Sequence, residues 1–420
     1  IRPAYDENGL PETSSLTENM NSVSKLLKFR NAVACYTPGF GGIAEAVMKM
    51  SFGNGLGFRF SDRLKSDDIF GYSYGSFIVE TITELDNAVL LGVVSDSKTI
   101  TYCGEKVELD KLLRGYENKL ENVFPCNIKN TETELKTFTF RARSTSYPLI
   151  KTSRPKVLIP VFPGTNCEYD SAKAVEDAGA EADIVVINNL TSDGIKKSVQ
   201  TVASKIKSSQ IIFLPGGFSG GDEPDGSGKF ITAFFRNVEI KEAVTELLGR
   251  RDGLMCGICN GFQALIKLGL VPYGKIIDTD ENCPTLTFNT IGRHQSRIVR
   301  TRIASNKSPW LRLKNVGDIV NVPISHGEGR FIASEEMIKS LEENGQIATQ
   351  YVDFEGNATN DIRYNPNGSM YAIEGITSPD GRVFGKMGHS ERIGKGLYKN
   401  VPGEYNIKMF DAAVKYFKGV

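Results

Sequence analysis

Within Gly253-Leu-Met-Cys-Gly-Ile-Cys-Asn-Gly-Phe-Gln263 a cysteine stands where a short apolar strand turns into a helix. Gly257-Ile-Cys259-Asn-Gly261 has the G-x-nucleophile-x-G spacing of a nucleophile elbow, with cysteine in place of serine. Such a turn is sharp and strained, so the residues two before and two after the nucleophile must be small. It leaves a thiol at a helix N-terminus, where the dipole and the first backbone N–H groups favour thiolate. The chemistry this suits is attack on a carbonyl carbon.

Cys256-Gly-Ile-Cys259 is also a C-x-x-C, which can be a redox pair or half of a zinc site. Zinc needs two further ligands, yet cysteines 35, 103, 126, 167 and 283 are scattered singly and no H-x₃₋₅-H follows. For the redox reading, Cys256 falls inside the strand, and Asn260-Gly261 suits an elbow better. A buried, inert cysteine pair is the blandest alternative. The weight rests on acyl transfer through Cys259.

A cysteine nucleophile needs a base, and the base needs a group to orient it. The chain has three histidines, 294, 326 and 389, two of them in H-x-E triplets: His326-Gly-Glu328 and His389-Ser-Glu391. In an extended segment residues i and i+2 face the same way, so either glutamate could hold its imidazole. Both triplets follow strand-like runs, Val320–Ile324 and Arg382–Met387, and pattern alone barely separates them. A tetrahedral intermediate needs an oxyanion hole, usually two backbone N–H groups. By elbow geometry Asn260 supplies one. Gly216-Gly217, after the run Gln210–Leu214, is the natural source of the other, although an ordinary strand-end turn would look the same.

The elements that must position these residues are repeated strand–loop–helix units from Lys156 onward. Strands are expected at Lys156–Val161, Ala182–Ile187, Gln210–Leu214 and Gly253–Ile258, with helices over Glu168–Ala178, Ser192–Ser208 and on both sides of Asn237. This alternation implies a mainly parallel α/β sheet with its site at the carboxyl ends of the strands, where the loops after Val161, Leu214 and Ile258 lie. Residues 1–150 differ in texture. Residues 1–22 read as a polar loop or frayed end, followed by a helix at Ile43–Met50 behind Thr37-Pro-Gly-Phe-Gly-Gly42. Strands at Gly75–Thr81, Ala88–Val94 and Thr99–Cys103 and a helix at Glu108–Asn122 complete an α+β unit. A linker is expected at residues 151–155, dividing a partial domain, 1–150, from a second, 156–420. The chain opens on Ile1-Arg-Pro in mid-pattern, as a fragment of something longer would.

Lys+Arg and Asp+Glu both number 50 in 420 residues, so no basic field points to nucleic acid or an anionic membrane. No apolar run approaches the roughly 18 residues of a membrane span, and no signal peptide is visible. Seven unpatterned cysteines, an odd number, fit a reducing cytoplasm.

Gly257-Ile-Cys-Asn-Gly-Phe-Gln263, Leu214-Pro-Gly-Gly-Phe-Ser219 and His389-x-Glu391 together resemble a class I (triad) glutamine amidotransferase, a flavodoxin-like fold. Val161-Phe-Pro-Gly-Thr-Asn-Cys167, Ser325-His-Gly-Glu-Gly-Arg-Phe331, Tyr364-Asn-Pro-Asn-Gly-Ser369 and Gly375-Ile-Thr-Ser-Pro-Asp-Gly381 narrow the resemblance to the glutaminase domain of phosphoribosylformylglycinamidine synthases, over roughly 155–420. Thr37–Met50 also resembles the glycine-rich helix start in the carboxyl half of that enzyme's synthase domain, a looser match over 30–150. Two departures stand out. The family's usual Met-Met-Pro-His-Pro-Glu-Arg is Lys386-Met-Gly-His-Ser-Glu-Arg392 here, without the two prolines. Gly220 to Lys229 replaces the more usual Tyr-Gly-Asp.

The resemblance implies glutamine hydrolysis through a glutamyl thioester. The ammonia would convert formylglycinamide ribonucleotide to its amidine at the expense of ATP, in de novo purine synthesis. It assigns Cys259 as nucleophile, His389 as base, Glu391 as its orienting carboxylate, and Gly217 and Asn260 to the oxyanion. Gln263, Thr165, Asn166, Arg293 and His294 are weaker substrate-binding candidates, with Gln295 beside them. No metal or cofactor is implied for the glutaminase. ATP and Mg²⁺ belong to a synthase part mostly outside this chain, and the expected partners are glutamine and synthase domains. Another triad amidotransferase, a related thiol hydrolase, and a non-catalytic interaction module of the same fold are the alternatives.

Overall fold

The computed structural model describes residues 1–126, 128, 135–142, 147–218 and 227–419. Its contacts divide the chain into two units, Ile1–Cys126 and Asn127–Val420. The first unit contains α1 (Thr13–Lys28), β1 (Ala32–Tyr36), α2 (Gly42–Asn54), β2 (Gly57–Phe60), α3 (Ser66–Phe70), β3 (Ile78–Thr81), β4 (Gly92–Ser95), β5 (Thr99–Tyr102), β6 (Glu105–Glu108) and α4 (Leu109–Glu117). β1 and β3 pair as a ribbon, and β4-β2-β5-β6 form a four-stranded sheet. Ala46, Val47, Phe60, Ile69 and Ile78 make its core. Residues 13–22, expected as loop, belong to a helix. Leu16, Met20, Val23 and Leu27 fall at helical spacing, and Val23 is buried.

The second unit begins with β7 (Lys156–Val161), α5 (Glu168–Asp177), β8 (Glu181–Val186), α6 (Ser192–Ser208) and β9 (Ile211–Leu214). It continues through α7 (Lys229–Phe235), α8 (Val238–Arg250), β10 (Leu254–Ile258), α9 (Asn260–Lys267) and α10 (Leu270–Tyr273). After these come β11 (Thr285–Phe288), β12 (Gln295–Ile303), β13 (Ile319–His326), β14 (Glu328–Ile332), α11 (Glu335–Glu343) and β15 (Ile347–Tyr351). β16 (Ile373–Thr377), β17 (Val383–Lys386) and α12 (Met409–Lys418) complete it. Nine strands form one sheet in the order β13-β12-β15-β16-β17-β10-β9-β7-β8. From β17 to β8 every pairing is parallel; from β13 to β17 every pairing is antiparallel.

The parallel strands β8-β7-β9-β10-β17 follow the flavodoxin-like 2-1-3-4-5 order, whose switch point lies between the first and third strands of the set. That point is the junction of β7 and β9, and the loops after β7, β9 and β10 leave the sheet there. Those strands are buried nearly throughout, as strands covered on both faces must be. β17 is fixed against the helix of the elbow: a Cβ on Gly385 would lie 2.1 Å from Phe262 of α9.

The division between units falls earlier than residues 151–155. Phe138 is buried in the core of the second unit, its N–H donating to Gln350 Oε1 at 2.8 Å and its ring 5.7 Å from that of Tyr371. Phe140 bridges to Ser305. Proline bracketing marked a turn at 148–155, whereas the packing of these two phenylalanines ties the preceding segment to the nine-stranded sheet.

Candidate active site

Cys259 adopts φ 52°, ψ −107° between β10 and α9, a conformation costing a non-glycine residue about 1–3 kcal/mol. The flanking glycines show why the elbow needs them. A Cβ on Gly261 would lie 2.1 Å from Leu214 O, and one on Gly257 2.5 Å from the Gly261 backbone. The backbone N–H of Cys259 donates to Lys386 O at 2.9 Å, tying the elbow to the end of β17. Cys256 sits inside β10, and burial pushes its thiol well above the ordinary range. It is a core residue, unsuited to redox exchange at neutral pH.

His389 follows β17 by three residues, and its Nδ1 lies 2.6 Å from Glu391 Oε1, both side chains being buried. Burial acts to lower the imidazole pKa. The Glu391 charge, aided by hydrogen bonding with the Cys167 and Cys259 thiols, outweighs it and holds His389 well above its usual value. Burial acts to raise Glu391, and the facing imidazolium more than offsets it, so the carboxyl is held low. The pair is built to stay charged.

His326 has the opposite character. It is buried, and desolvation together with the charges of His389 and His294 pushes its pKa down to about 3. Asn289 fixes its tautomer. The Asn289 amide nitrogen donates to Arg293 O at 3.0 Å and His326 O at 2.8 Å, which leaves Oδ1 to accept from His326 Nδ1–H at 3.2 Å. Its partner in the triplet, Glu328, accepts instead from the backbone N–H of Ser227 at 3.0 Å.

The loops after β7 and β9 are locked together. Thr165 and Gly217 form a bridge, Asn166 N–H donates to Gly216 O at 3.2 Å, and Phe218 N–H donates to Gly164 O at 2.8 Å. Gly217 has φ 154°, and a Cβ there would lie 2.4 Å from Gly164 O. A Cβ on Gly216 would lie 2.7 Å from His389 Cε1, 3.2 Å from Cys167 Sγ and 3.5 Å from Cys259 Cβ. Glycine at 216 therefore makes room for the imidazole and both thiols.

A cleft of about 420 Å³ opens over Cys259, walled by Gly217, Gln263, Arg293, His294 and the Ser325–Glu328 strand end, among others. Of the weaker candidates, Gln263, Arg293 and His294 line it. Thr165 and Asn166 do not; they brace the Gly217 loop, with Thr165 Oγ1 accepting from Phe162 N–H at 3.1 Å. Gln295, also off the cleft, donates to His294 O and accepts from Arg297. The replacement loop at Gly220–Gly226 lies outside the described residues.

Two contributors were not legible in the sequence. Lys386 is fully buried and pairs with Glu374 at 3.0 Å, while its ammonium also donates to Gly388 O at 2.8 Å and Ser390 Oγ at 3.1 Å. It thereby braces both sides of His389. Cys167 is buried 3.9 Å from His389 Nδ1, and Arg392 Nη2 donates to its sulfur at 3.0 Å. Among the described residues, Cys167, His389 and Glu391 bring potential metal-ligand atoms within 4.8 Å of one another. The Arg392 guanidinium already supplies positive charge to that cluster, which disfavours a cation there.

A cysteine on a strained strand-to-helix turn and a buried imidazole–carboxylate pair, both at the carboxyl ends of neighbouring strands of a flavodoxin-like sheet, are features of the glutamine amidotransferase class. The chain belongs to the CobB/CobQ-like glutamine amidotransferase domain family, whose model matches residues 154–417. It is 39% identical over 257 residues to phosphoribosylformylglycinamidine synthase subunit PurQ of Methanococcus maripaludis, an alignment covering 60% of this chain and 87% of that protein. The subunit of the same name from Aquifex aeolicus is 31% identical, over 58% of this chain and 92% of its own length. A solved structure of PurLQS from Thermotoga maritima aligns at 26% identity and a TM-score of 0.45, covering 63% of this chain and 99% of that one.

Proposed function

We propose that this chain carries the glutaminase of a phosphoribosylformylglycinamidine synthase. The Cys259 sulfur attacks the side-chain amide carbon of glutamine with the proton already resident on His389. Glu391 holds the imidazolium. The N–H groups of Gly217 and Asn260 stabilise the oxyanion, His389 gives its proton to the departing nitrogen, and ammonia leaves behind a glutamyl thioester. Water, activated by the same imidazole, hydrolyses the thioester to glutamate. The observation that carries this reading is the 2.6 Å His389–Glu391 contact beside an elbow cysteine, in a chain of this family.

The ammonia serves ATP-dependent conversion of formylglycinamide ribonucleotide to the amidine, in synthase domains that dock with this chain in the cytoplasm. The glycine-rich start of α2 does not fit a role in holding nucleotide phosphate. Glu45 Oε2 already accepts the Gly41 N–H at 2.8 Å, and a Cβ on Gly42 would lie 2.8 Å from Ile69 O, so packing accounts for that glycine. No step is therefore assigned to the first unit. Among the described residues, no helix is long and apolar enough to cross a membrane.

Glutamine hydrolysis and its coupling are tested together. In the complete synthase, Cys259→Ala is expected to abolish glutamine-dependent amidine formation and to retain the ammonium-dependent reaction. Mass spectrometry of the unsubstituted protein should trap a glutamyl adduct on Cys259. An adduct on Cys256, or none, would favour the redox or the non-catalytic reading.

A further inference from the structure

We propose that Cys167 is a second reactive cysteine, which captures Cys259 in a reversible Cys167–Cys259 disulfide once a hydroperoxide has oxidised the Cys259 sulfur. Glutamine hydrolysis gives Cys167 no task, yet its sulfur is built into the same cluster.

Each cysteine is the N-cap residue of a helix, Cys167 of α5 and Cys259 of α9, where the helix dipole favours a negatively charged sulfur. The two side chains converge. Both thiols hydrogen-bond with the His389 imidazole. The place that a Cβ on Gly216 would fill lies 3.2 Å from Cys167 Sγ and 3.5 Å from Cys259 Cβ, so glycine at 216 leaves no side-chain atom between them. Arg392 Nη2 donates to Cys167 Sγ at 3.0 Å and supports negative charge on that sulfur during exchange, while Asn166 Oδ1 accepts the S–H at 3.1 Å. Cys256 is nearer in sequence, but it is held inside β10 with its thiol pushed up by burial, and does not compete.

Access differs between the two. Cys259 lines the cleft, where a small hydroperoxide can reach it, whereas Cys167 is fully buried and off the cleft. Oxidation therefore starts on Cys259, and Cys167 is spared direct attack. The Cys259 sulfur attacks one peroxide oxygen. An S–O bond forms, the O–O bond breaks, and the departing hydroxide takes the His389 proton to leave as water. Cys167 then attacks the sulfenic sulfur of Cys259. The S–S bond forms, the S–O bond breaks, and hydroxide leaves with the Cys167 proton as a second water. Two thiols lose two electrons, and the peroxide gains them. A dithiol reverses the step by exchange, whereas a sulfenic acid left uncaptured goes on to the irreversible sulfinic acid.

The test uses the full chain. It is treated with hydrogen peroxide while folded, its remaining thiols are alkylated, and its peptides are mapped by mass spectrometry without reduction. A cross-link between the peptides of Cys167 and Cys259 is expected, with a loss of glutaminase activity that dithiothreitol restores almost completely. In Cys167→Ser the same dose should leave Cys259 carrying two added oxygens, with most of the lost activity unrecovered against that variant's own untreated rate. Cys256→Ala should keep the cross-link. A Cys256–Cys259 cross-link, a Cys259 oxidised without the cross-link, a Cys259 that peroxide leaves reduced, or equal recovery with and without Cys167 would each overturn the proposal. The cross-link is read on the unsubstituted protein, so it decides the matter even if Cys167→Ser fails to fold. It is also independent of glutamine turnover, so failure of the glutaminase reading and failure of this inference are told apart.

Discussion

Two histidines of identical local sequence pattern end in opposite protonation states, and environment alone separates them. His389 meets a carboxylate, whereas His326 meets an amide and other imidazoles. Glutamine hydrolysis should therefore fall by at least about 10²-fold in His389→Ala and stay measurable in His326→Ala. In Glu391→Gln, the His389 pKa followed by NMR should drop, because burial is then opposed by less charge. The signs differ for stability. His389, raised, stabilises the fold below its unfolded value near 6.5, and the effect fades as pH rises through its folded pKa. Glu391, lowered, stabilises above its unfolded value and loses that effect as pH falls through its folded pKa. His326 resists protonation, so between about pH 6.5 and its folded value near 3 the unfolded state binds the extra proton. Stability should consequently decline on acidification in that window, by up to about 1.4 kcal/mol per pH unit from this group. Denaturant melts of His326→Gln should show a shallower acid limb; an identical limb would refute the assignment. The sequence made these two residues visible as candidates, but their protonation depends on contacts 37 and 2 residues away that pattern cannot rank.

The elbow and the β17 turn work as one device, because Cys259 N–H bonds to Lys386 O and Gly216 separates the two loops. Gly216→Ala would push a methyl group into the imidazole. Glutamine hydrolysis should fall on the order of 10²-fold or more, as ångström-scale misplacement does, with the melting curve little changed. Loss of the family's prolines around His389 leaves a Gly-His-Ser turn, and the buried Lys386 ammonium ties Gly388 and Ser390 down instead. Lys386→Met should cost about 3–5 kcal/mol, since it strands Glu374, while removing both partners should cost much less. Chemical denaturation of the two single variants and the double variant measures this directly. Helices and strands with clear periodicity were legible, Ser192–Ser208 and Lys156–Val161 to the residue. Lys386 was not, because a lysine ending an apolar strand ordinarily reads as a solvated edge and only the fold brings Glu374 beneath it.

At the scale of the whole molecule, the extent of the amidotransferase unit is the feature least readable from sequence. Composition shifts at prolines 148 and 155 suggested the border, but a border is set by where buried contacts stop. Phe138 is 3% exposed, Arg302 donates to its carbonyl at 2.7 Å, and Phe140 N–H donates to Ala304 O at 2.8 Å. These are ladder-like contacts to the antiparallel half of the sheet, made by residues with no strand pattern of their own. Phe138→Ala in the full chain should therefore destabilise the amidotransferase unit by about 3–5 kcal/mol, the range for a buried phenylalanine. Calorimetry should show the loss in the transition that glutamine analogues stabilise. A fragment of residues 135–420 should melt above one of residues 155–420, because the shorter piece exposes the Tyr371 and Gln350 surfaces that Phe138 covers. Equal melting temperatures, with Phe138→Ala silent, would return the border to residues 151–155.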